Sequence, residues 1–320
     1  MPGDDLAPLF IVGAPRSGTS LLYKQLCLHP QAAWISNWAR RAPGLPALAL
    51  LNRLAPRLPG ARRTTWFGAD AANAYVYLRR RRLAERLFPM PVEGEPVYRH
   101  CGVPEDPTAP DAAGGAGAAW THAPAAPAAP AWSPGAVGRL RGGFAAIGRW
   151  SGGRVLVSKR IANNRRIPLL AAAFPAARFV DLVRDGRAVA DCLSRVVWWE
   201  EGVVWWYGGT PRRWREEGRD PWELCALHWV RELAAIRDGL AAVPAGQRIE
   251  VRYEELVQAP VETAARIAAF AGLPPDQGWT AELAQLRYPA SKIDAWRERL
   301  APEALACIER IQRDDLQRLG

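Results

Sequence analysis

Residues 8–28 read "PLFIVGAPRSGTSLLYKQLCL", and this stretch limits what the chain can fold into. A short apolar run ends abruptly at Gly13, and helical periodicity begins at Thr19. Strand, glycine-bearing loop and helix follow one another with no spare residues, the entry to a parallel α/β architecture. Gly13 permits a tight turn, and Gly18 lets backbone N–H groups approach a bound anion. The helix starting near Thr19 points the positive end of its dipole at the same spot. Arg16 and the hydroxyls of Ser17, Thr19 and Ser20 add further donors. A plain strand-to-helix turn has no need of three hydroxyls, an arginine and two glycines.

The later chain repeats the alternation. Strands are expected at 154–158, 177–183 and 248–253, with helices at 19–28, 164–174, 184–196, 221–241, 260–271 and 302–318. A mixed, arginine-rich region covers 34–100, with helix expected around "AYVYLRRRRLAERLF". Strands separated by helices require right-handed crossovers and a parallel sheet, with ligands at the carboxyl ends of its strands. The expected fold is α/β: a P-loop-like central parallel sheet flanked by helices, with a helical lobe. Residues 1–320 are read as a single domain. Residues 102–135, rich in Ala, Pro and Gly, are read as a flexible insertion whose Trp120 and Trp132 offer docking points for a lid.

Composition narrows the function classes. A formal charge of +10 favours anionic ligands. Of 42 basic residues only Lys24, Lys159 and Lys292 are lysine, a bias that fits GC-rich coding as well as function. No zinc-finger, RNP or basic-zipper pattern accompanies the charge, so nucleic acid is not an expected partner. Five scattered cysteines without a C-x-x-C pair fit free thiols in a reducing compartment, and the four histidines lack metal-ligand spacing. The N-terminus lacks the basic start and apolar stretch of a signal peptide, and no apolar run is long enough to span a bilayer. A cytoplasmic protein is expected, with peripheral membrane contact left open and oligomeric state unassigned.

"GAPRSGTS" nearly matches G-x-x-x-x-G-K-[ST], but Thr19 stands at the lysine position and Arg16 carries the charge instead. A kinase or NTPase needs that lysine, together with Mg²⁺ held by Ser/Thr and an acidic strand. The later strands offer only Asp181, in mid-strand. A P-loop small-molecule kinase therefore remains as the alternative reading.

Two motifs together resemble the sulfotransferases that use 3′-phosphoadenosine 5′-phosphosulfate. "PRSGTS" at 15–20 is similar to their first loop, P-[KR]-S-G-T-[TS], and "RFVDLVRDGRAVADCLSR" at 178–195 to their second signature. Arginine in the first loop and R-D-G-R-A in the second are features of the bacterial and protein-tyrosine branches. "VLVSKRIANN" resembles the segment that places a lysine after the middle strand, and "RYEEL" at 252–256 the late Y-E-D-L segment. The resemblance spans roughly residues 9–30 and 155–300.

The resemblance implies roles residue by residue. Pro15 opens the donor loop, Arg16 contacts the bridging oxygen and sulfonate, and Ser17, Gly18, Thr19 and Ser20 cradle the 5′-phosphate. Arg184 binds the 3′-phosphate, and Tyr253 lies against the adenine. Cys192 stands where a serine normally assists Arg184; Ser194 or Lys292 is the substitute it suggests. Arg16 and Lys159 act on the transferring group, and the family's reaction implies neither a metal nor a covalent enzyme intermediate. The acceptor is a hydroxyl compound.

Its proton acceptor is the open position. Ile161 occupies the place of one branch's histidine, and "WISNW", with Asn37, that of another branch's glutamate. "PVEGEPVYRH" supplies Glu93 and Glu95, the favoured candidates, while His228 fits a core histidine. These departures also support a third reading, a non-catalytic adenosine-phosphate-binding module. "VVWWEEGVVWWYGGTPRRW" at 196–214 holds five of the 15 tryptophans, as core packing or as the wall of an acceptor cleft. Sugar, phenol and lipid alcohol all suit such a wall.

Overall fold

A computed structural model describes residues 7–68, 86–103, 132–288 and 290–320. Five parallel strands form the centre: β1 (Leu9–Val12), β2 (Ala32–Trp34), β3 (Val155–Lys159), β4 (Arg178–Val183) and β5 (Arg248–Arg252), in the order β2-β3-β1-β4-β5. β1 lies centrally, with β3 on one side and β4 on the other. From β1 the chain crosses to the edge strand β2, returns to β3 beside β1, and then passes to β4 and β5 on the other side, so the loop after β1 stands at the switch point where an open parallel sheet leaves a crevice.

Alternation along β1 explains why the strand is apolar throughout. Leu9 and Ile11 enter one core with Leu22, Val157 and Leu182, and Phe10 and Val12 enter a second on the other face with Leu156 and Phe179. Phe10 stacks on Phe179 with ring centroids 5.4 Å apart and also meets Phe144 and Phe174. A strand covered on both faces cannot alternate polar and apolar residues. A third core, around Trp199, Trp214 and Trp229, packs the segment after β4 against the Pro221–Ala241 and Pro302–Leu319 helices.

Several boundaries differ from the sequence expectation. β2 was not anticipated, because three residues carry too little periodicity to register; its place is set by pairing with β3. The expected helix at 164–174 divides into a 3-10 turn, Ile161–Arg165, and a helix, Ile167–Ala173, with Pro168 in its first turn, where its missing N–H is harmless. Tyr253 does not end a strand; it opens the Tyr253–Gln258 helix. Residues 104–131 of the expected insertion, with Trp120, lie outside the described residues, as does most of the helix expected around 74–88. The insertion's expected end at 135 is corrected: Ser133 caps the Pro134–Ser151 helix, and Trp132 is buried in the core against it. Among the described residues no helix is long and apolar enough to cross a membrane.

Asp181, the carboxylate that a kinase would need, is buried on β4 beside Glu250 of β5, with Arg318 of the last helix nearby. Burial, reinforced by Glu250 and only partly countered by Arg318, raises its pKa to about 7. A carboxyl whose pKa is raised on folding favours the fold when protonated, and that contribution is lost as pH rises through the folded value. Asp181→Asn is therefore expected to leave the unfolding free energy at pH 4 nearly unchanged and to increase it at pH 8, by up to about 4 kcal/mol. Urea unfolding at the two pH values measures this, and an equal effect at both would contradict it.

Candidate active site

The 13–20 loop is shaped by contacts from three distant segments. The backbone N–H of Gly13 donates to Asn164 Oδ1 at 3.1 Å, and Asn164 Nδ2 donates back to the Gly13 carbonyl at 3.0 Å. Arg16 has a left-handed backbone, φ 73°, and so does Gly18, φ 88°. At Gly18 the ring of Tyr253 lies so close that a Cβ would stand 2.3 Å from its Cδ2. Only glycine fits there. The Thr19–Cys27 helix follows at once, and its first N–H groups have no partners within the helix.

Two clefts meet on this loop. The larger, 760 Å³, is lined by Pro15, Arg16, Gly18, Thr19, Ser20, Glu93 and Lys159, and then by Arg160, Ile161, Arg165, Trp198, Trp199, Val203, Trp205, His228 and Glu232. The smaller, 250 Å³, is lined by Arg16, Gly18, Arg184, Cys192, Tyr253 and Lys292, with Arg195, Trp296 and Arg299. Arg16 and Gly18 belong to both. The structure thus brings together most of the residues that the sequence singled out, and it separates them into two groups.

In the smaller cleft, Arg184 lies over the Tyr253 ring, 4.4 Å from its centroid, and donates to the carbonyls of Arg16 and Lys292, each at 2.9 Å. Among the described residues the buried Nε of Arg184 has no hydrogen-bond partner, and neither has the buried Oγ of Ser17, which lines neither cleft. Cys192 Sγ accepts from Arg16 Nε at 2.9 Å, so the thiol orients the loop arginine. Ser194 does not substitute for the missing serine: its hydroxyl donates to the Asp191 carbonyl of its own helix. Lys292 is exposed at the rim.

In the larger cleft, Lys159 is the last residue of β3 and pairs with Glu93, whose other oxygen takes Arg160 at 2.7 Å. Burial opposes ionisation of Glu93, but Lys159 and Arg160 outweigh it and hold its pKa down at about 2. Glu95 is placed differently. It is buried against Arg166, with 2.8 and 3.1 Å contacts, is held also by Arg160, and lines neither cleft. Of the two candidate carboxylates Glu93 faces the larger cleft, whereas Glu95, expected beside it, is corrected to an interior ion pair with Arg166. An interior arginine requires such a carboxylate.

Sequence reasoning missed Glu232. One oxygen accepts from Arg165 and from the Trp205 indole, both at 3.0 Å, and the other accepts from Asn164 at 2.6 Å. Through Asn164 this buried carboxylate joins the Gly13 turn to the tryptophan wall. His228 stands one helical turn before it, which is the signal that "LHWVREL" offered. Burial, with Arg165 adding to it and Glu232 opposing it, lowers the pKa of His228 to about 4. The neutral ring accepts from the Trp206 indole at Nδ1, 3.2 Å away. The tryptophans divide between both expected roles: Trp214 is core, Trp198 and Trp205 line the cleft, and Trp199 does both. Asp181 lines neither cleft. Among the described residues no cluster of His, Cys, Asp and Glu could hold a metal.

A five-stranded parallel sheet flanked by helices, with a glycine-bearing loop at its switch point, defines a P-loop-like α/β class. Comparison narrows it. The sequence model of the Sulfotransferase family matches residues 8–277, and the chain belongs to that family. Among solved structures, sulfotransferase STF9 from Mycobacterium avium superposes with a TM-score of 0.56 at 16% identity, covering 99% of this chain and 77% of its own. The sulfotransferase domain of the Synechococcus PCC 7002 olefin synthase gives 0.47 at 18% identity, covering 97% of each chain. Sulfotransferase STF1 from Mycobacterium tuberculosis H37Rv gives 0.47 at 16%, covering 92% and 76%. No curated protein sequence matches.

Because every donor around Glu232 converges on one carboxylate, Glu232→Gln places an amide N–H₂ against another donor. The substitution is expected to cost roughly 1–3 kcal/mol of unfolding free energy. Asn164→Ala should cost a similar amount, and the double variant less than the sum of the two. Urea denaturation of the three variants completes the cycle; strict additivity would show that the two residues act separately.

Proposed function

We propose that the protein transfers a sulfonate from 3′-phosphoadenosine 5′-phosphosulfate to a hydroxyl acceptor. The observation that carries this reading is the meeting of two clefts on one anion-binding loop, with Arg16 in the wall of both. The smaller cleft has the chemistry of the donor's nucleotide end. Arg184 and Lys292 supply cations for a 3′-phosphate, Arg195 and Arg299 add two more that share the Asp191 carboxylate, and Tyr253 supplies an aromatic face. Arg184 Nε, buried and without a partner among the described residues, is what a phosphate-binding site leaves for its ligand. The loop backbone, Thr19 and Ser20 would take the 5′-phosphate.

Sulfonate transfer is a displacement at sulfur in which the departing phosphate oxygen gains charge. Fixed cations next to that oxygen stabilise the transition state. Arg16 and Lys159 serve this role, one from the loop after β1 and the other at the end of β3. Glu93 receives the acceptor's proton. Its pairing with Lys159 and Arg160 makes it a weak base at rest, and a sulfonate that draws Lys159 away restores its basicity. Association with other chains is not part of this reading.

Adenosine 3′,5′-bisphosphate is expected to raise the melting temperature without Mg²⁺, by preferential binding to the folded state. ATP–Mg²⁺ stabilisation with no response to the bisphosphate would point instead to a kinase. Arg16→Ala should abolish measurable transfer, and near-normal turnover would overturn the mechanism.

Glu93→Gln gives a separate expectation. It should lower kcat by about 10²–10⁴-fold, the usual worth of a positioned base, while the bisphosphate still raises the melting temperature. Unchanged kcat would move the base elsewhere.

A further inference from the structure

The larger cleft carries a second piece of chemical information, in what its polar groups are already doing. Both of its carboxylates are committed. Glu93 takes Lys159 and Arg160, and Glu232 takes Arg165, Trp205 and Asn164. The acceptor nitrogen of His228 is occupied by the Trp206 indole. Recognition of a sugar needs several acceptors and donors spread along the wall to pair with successive hydroxyls, because each buried hydroxyl left unpaired costs binding. Here the carboxylates and the histidine are already paired, and the rest of the lining includes Ile161, Ala162, Trp198, Trp199, Gly202 and Val203.

That wall continues past the mouth. Val197, Trp198 and Val203 are 83%, 46% and 71% exposed. They fall within one seven-residue stretch, and two of them line the cleft itself. Large apolar side chains gathered at the rim of a binding cleft mark a place where an apolar ligand body leaves the protein. A single phenol ring covers few such side chains at once, whereas an extended apolar body can lie along Val197, Trp198 and Val203 together.

The geometry points to an acceptor with one reactive hydroxyl on a long apolar body, a lipid alcohol, held by the Trp198–Val203 wall. This inference rests on the sulfotransferase reading above and names its substrate class. In the reaction the bond between sulfur and the donor's bridging phosphate oxygen breaks, and its electron pair stays on that oxygen. A new bond forms between sulfur and the alcohol oxygen, and the alcohol proton passes to Glu93. The products are an alkyl sulfate ester and adenosine 3′,5′-bisphosphate.

The test compares 1-hexanol, 1-octanol and 1-decanol with glucose and phenol, using donor labelled in the sulfonate. Transfer efficiency, kcat/KM, should rise by up to roughly fourfold per added methylene, the value of removing one CH₂ from water. Trp198→Ala and Val203→Asp should flatten that slope while the bisphosphate-induced rise in melting temperature is retained. The same alcohols presented in phosphatidylcholine vesicles distinguish a membrane-held source from a dissolved one. If glucose or phenol matches 1-decanol, or the slope is flat in the unmodified protein, the lipid-alcohol inference falls and the transferase reading stands. If the bisphosphate gives no stabilisation and no acceptor is sulfated, both readings fall. If the bisphosphate binds but no acceptor turns over, the quenching of tryptophan fluorescence decides. Saturable quenching by 1-decanol at lower concentration than by phenol, weakened in Val203→Asp, supports the inference, and its absence overturns it.

Discussion

One side chain, the amide of Asn164, holds both backbone polar groups of Gly13. That bidentate clamp fixes where β1 ends and the loop begins. A glycine-bearing turn is otherwise the part of an α/β sheet with the most backbone freedom to lose. Asn164 is fixed in turn by the buried carboxylate of Glu232, which also receives Arg165 and Trp205. A chain of fully paired polar groups therefore runs from the middle of the sheet into the wall of the larger cleft. Asn164 and Glu232 are both buried, so neither can be removed without leaving polar groups of the chain unpaired.

The arginine excess acquires a structural meaning in this setting. Arg166 is wholly enclosed and needs Glu95, and Arg165 needs Glu232. Buried guanidinium groups are tolerated because carboxylates are brought to them at hydrogen-bonding distance. Lys24 is enclosed in a different way, donating to the Trp66 carbonyl at 2.6 Å. Scarcity of lysine was thus no guide to function by itself. One lysine is interior, one is at the end of β3, and one is exposed at a rim.

The sheet, the loop and both cation-bearing strand ends were legible because they are local. Periodicity over "PLFIV" and "FVDLV" needs only neighbouring residues, and a glycine-rich turn announces its own backbone. The long Pro221–Ala241 helix was legible for the same reason. β2 was hidden, because three residues become a strand only by pairing with β3. The roles of Glu93 and Glu95 were also hidden. The two carboxylates lie two residues apart in sequence, yet one faces a cleft and the other an interior arginine, a distinction made by Lys159 and Arg166 far along the chain. Glu232 left almost no trace, since a glutamate on an amphipathic helix normally reads as solvent-facing.

The register of the parallel strands has a consequence for how such a chain can vary. Lys159 lies level with Ile11 across the β1–β3 pair, and Val12 lies level with Asp181 across the β1–β4 pair. Ile11 is also level with Val180, so Lys159 leaves the sheet four residues below Arg184, which follows the end of β4. Removing a single residue from β3 while keeping its pairing would send the lysine out of the opposite face of the sheet, away from Glu93. Within β3, length is therefore held more tightly than composition: valine and leucine can trade places there, but the number of residues before Lys159 cannot change by one.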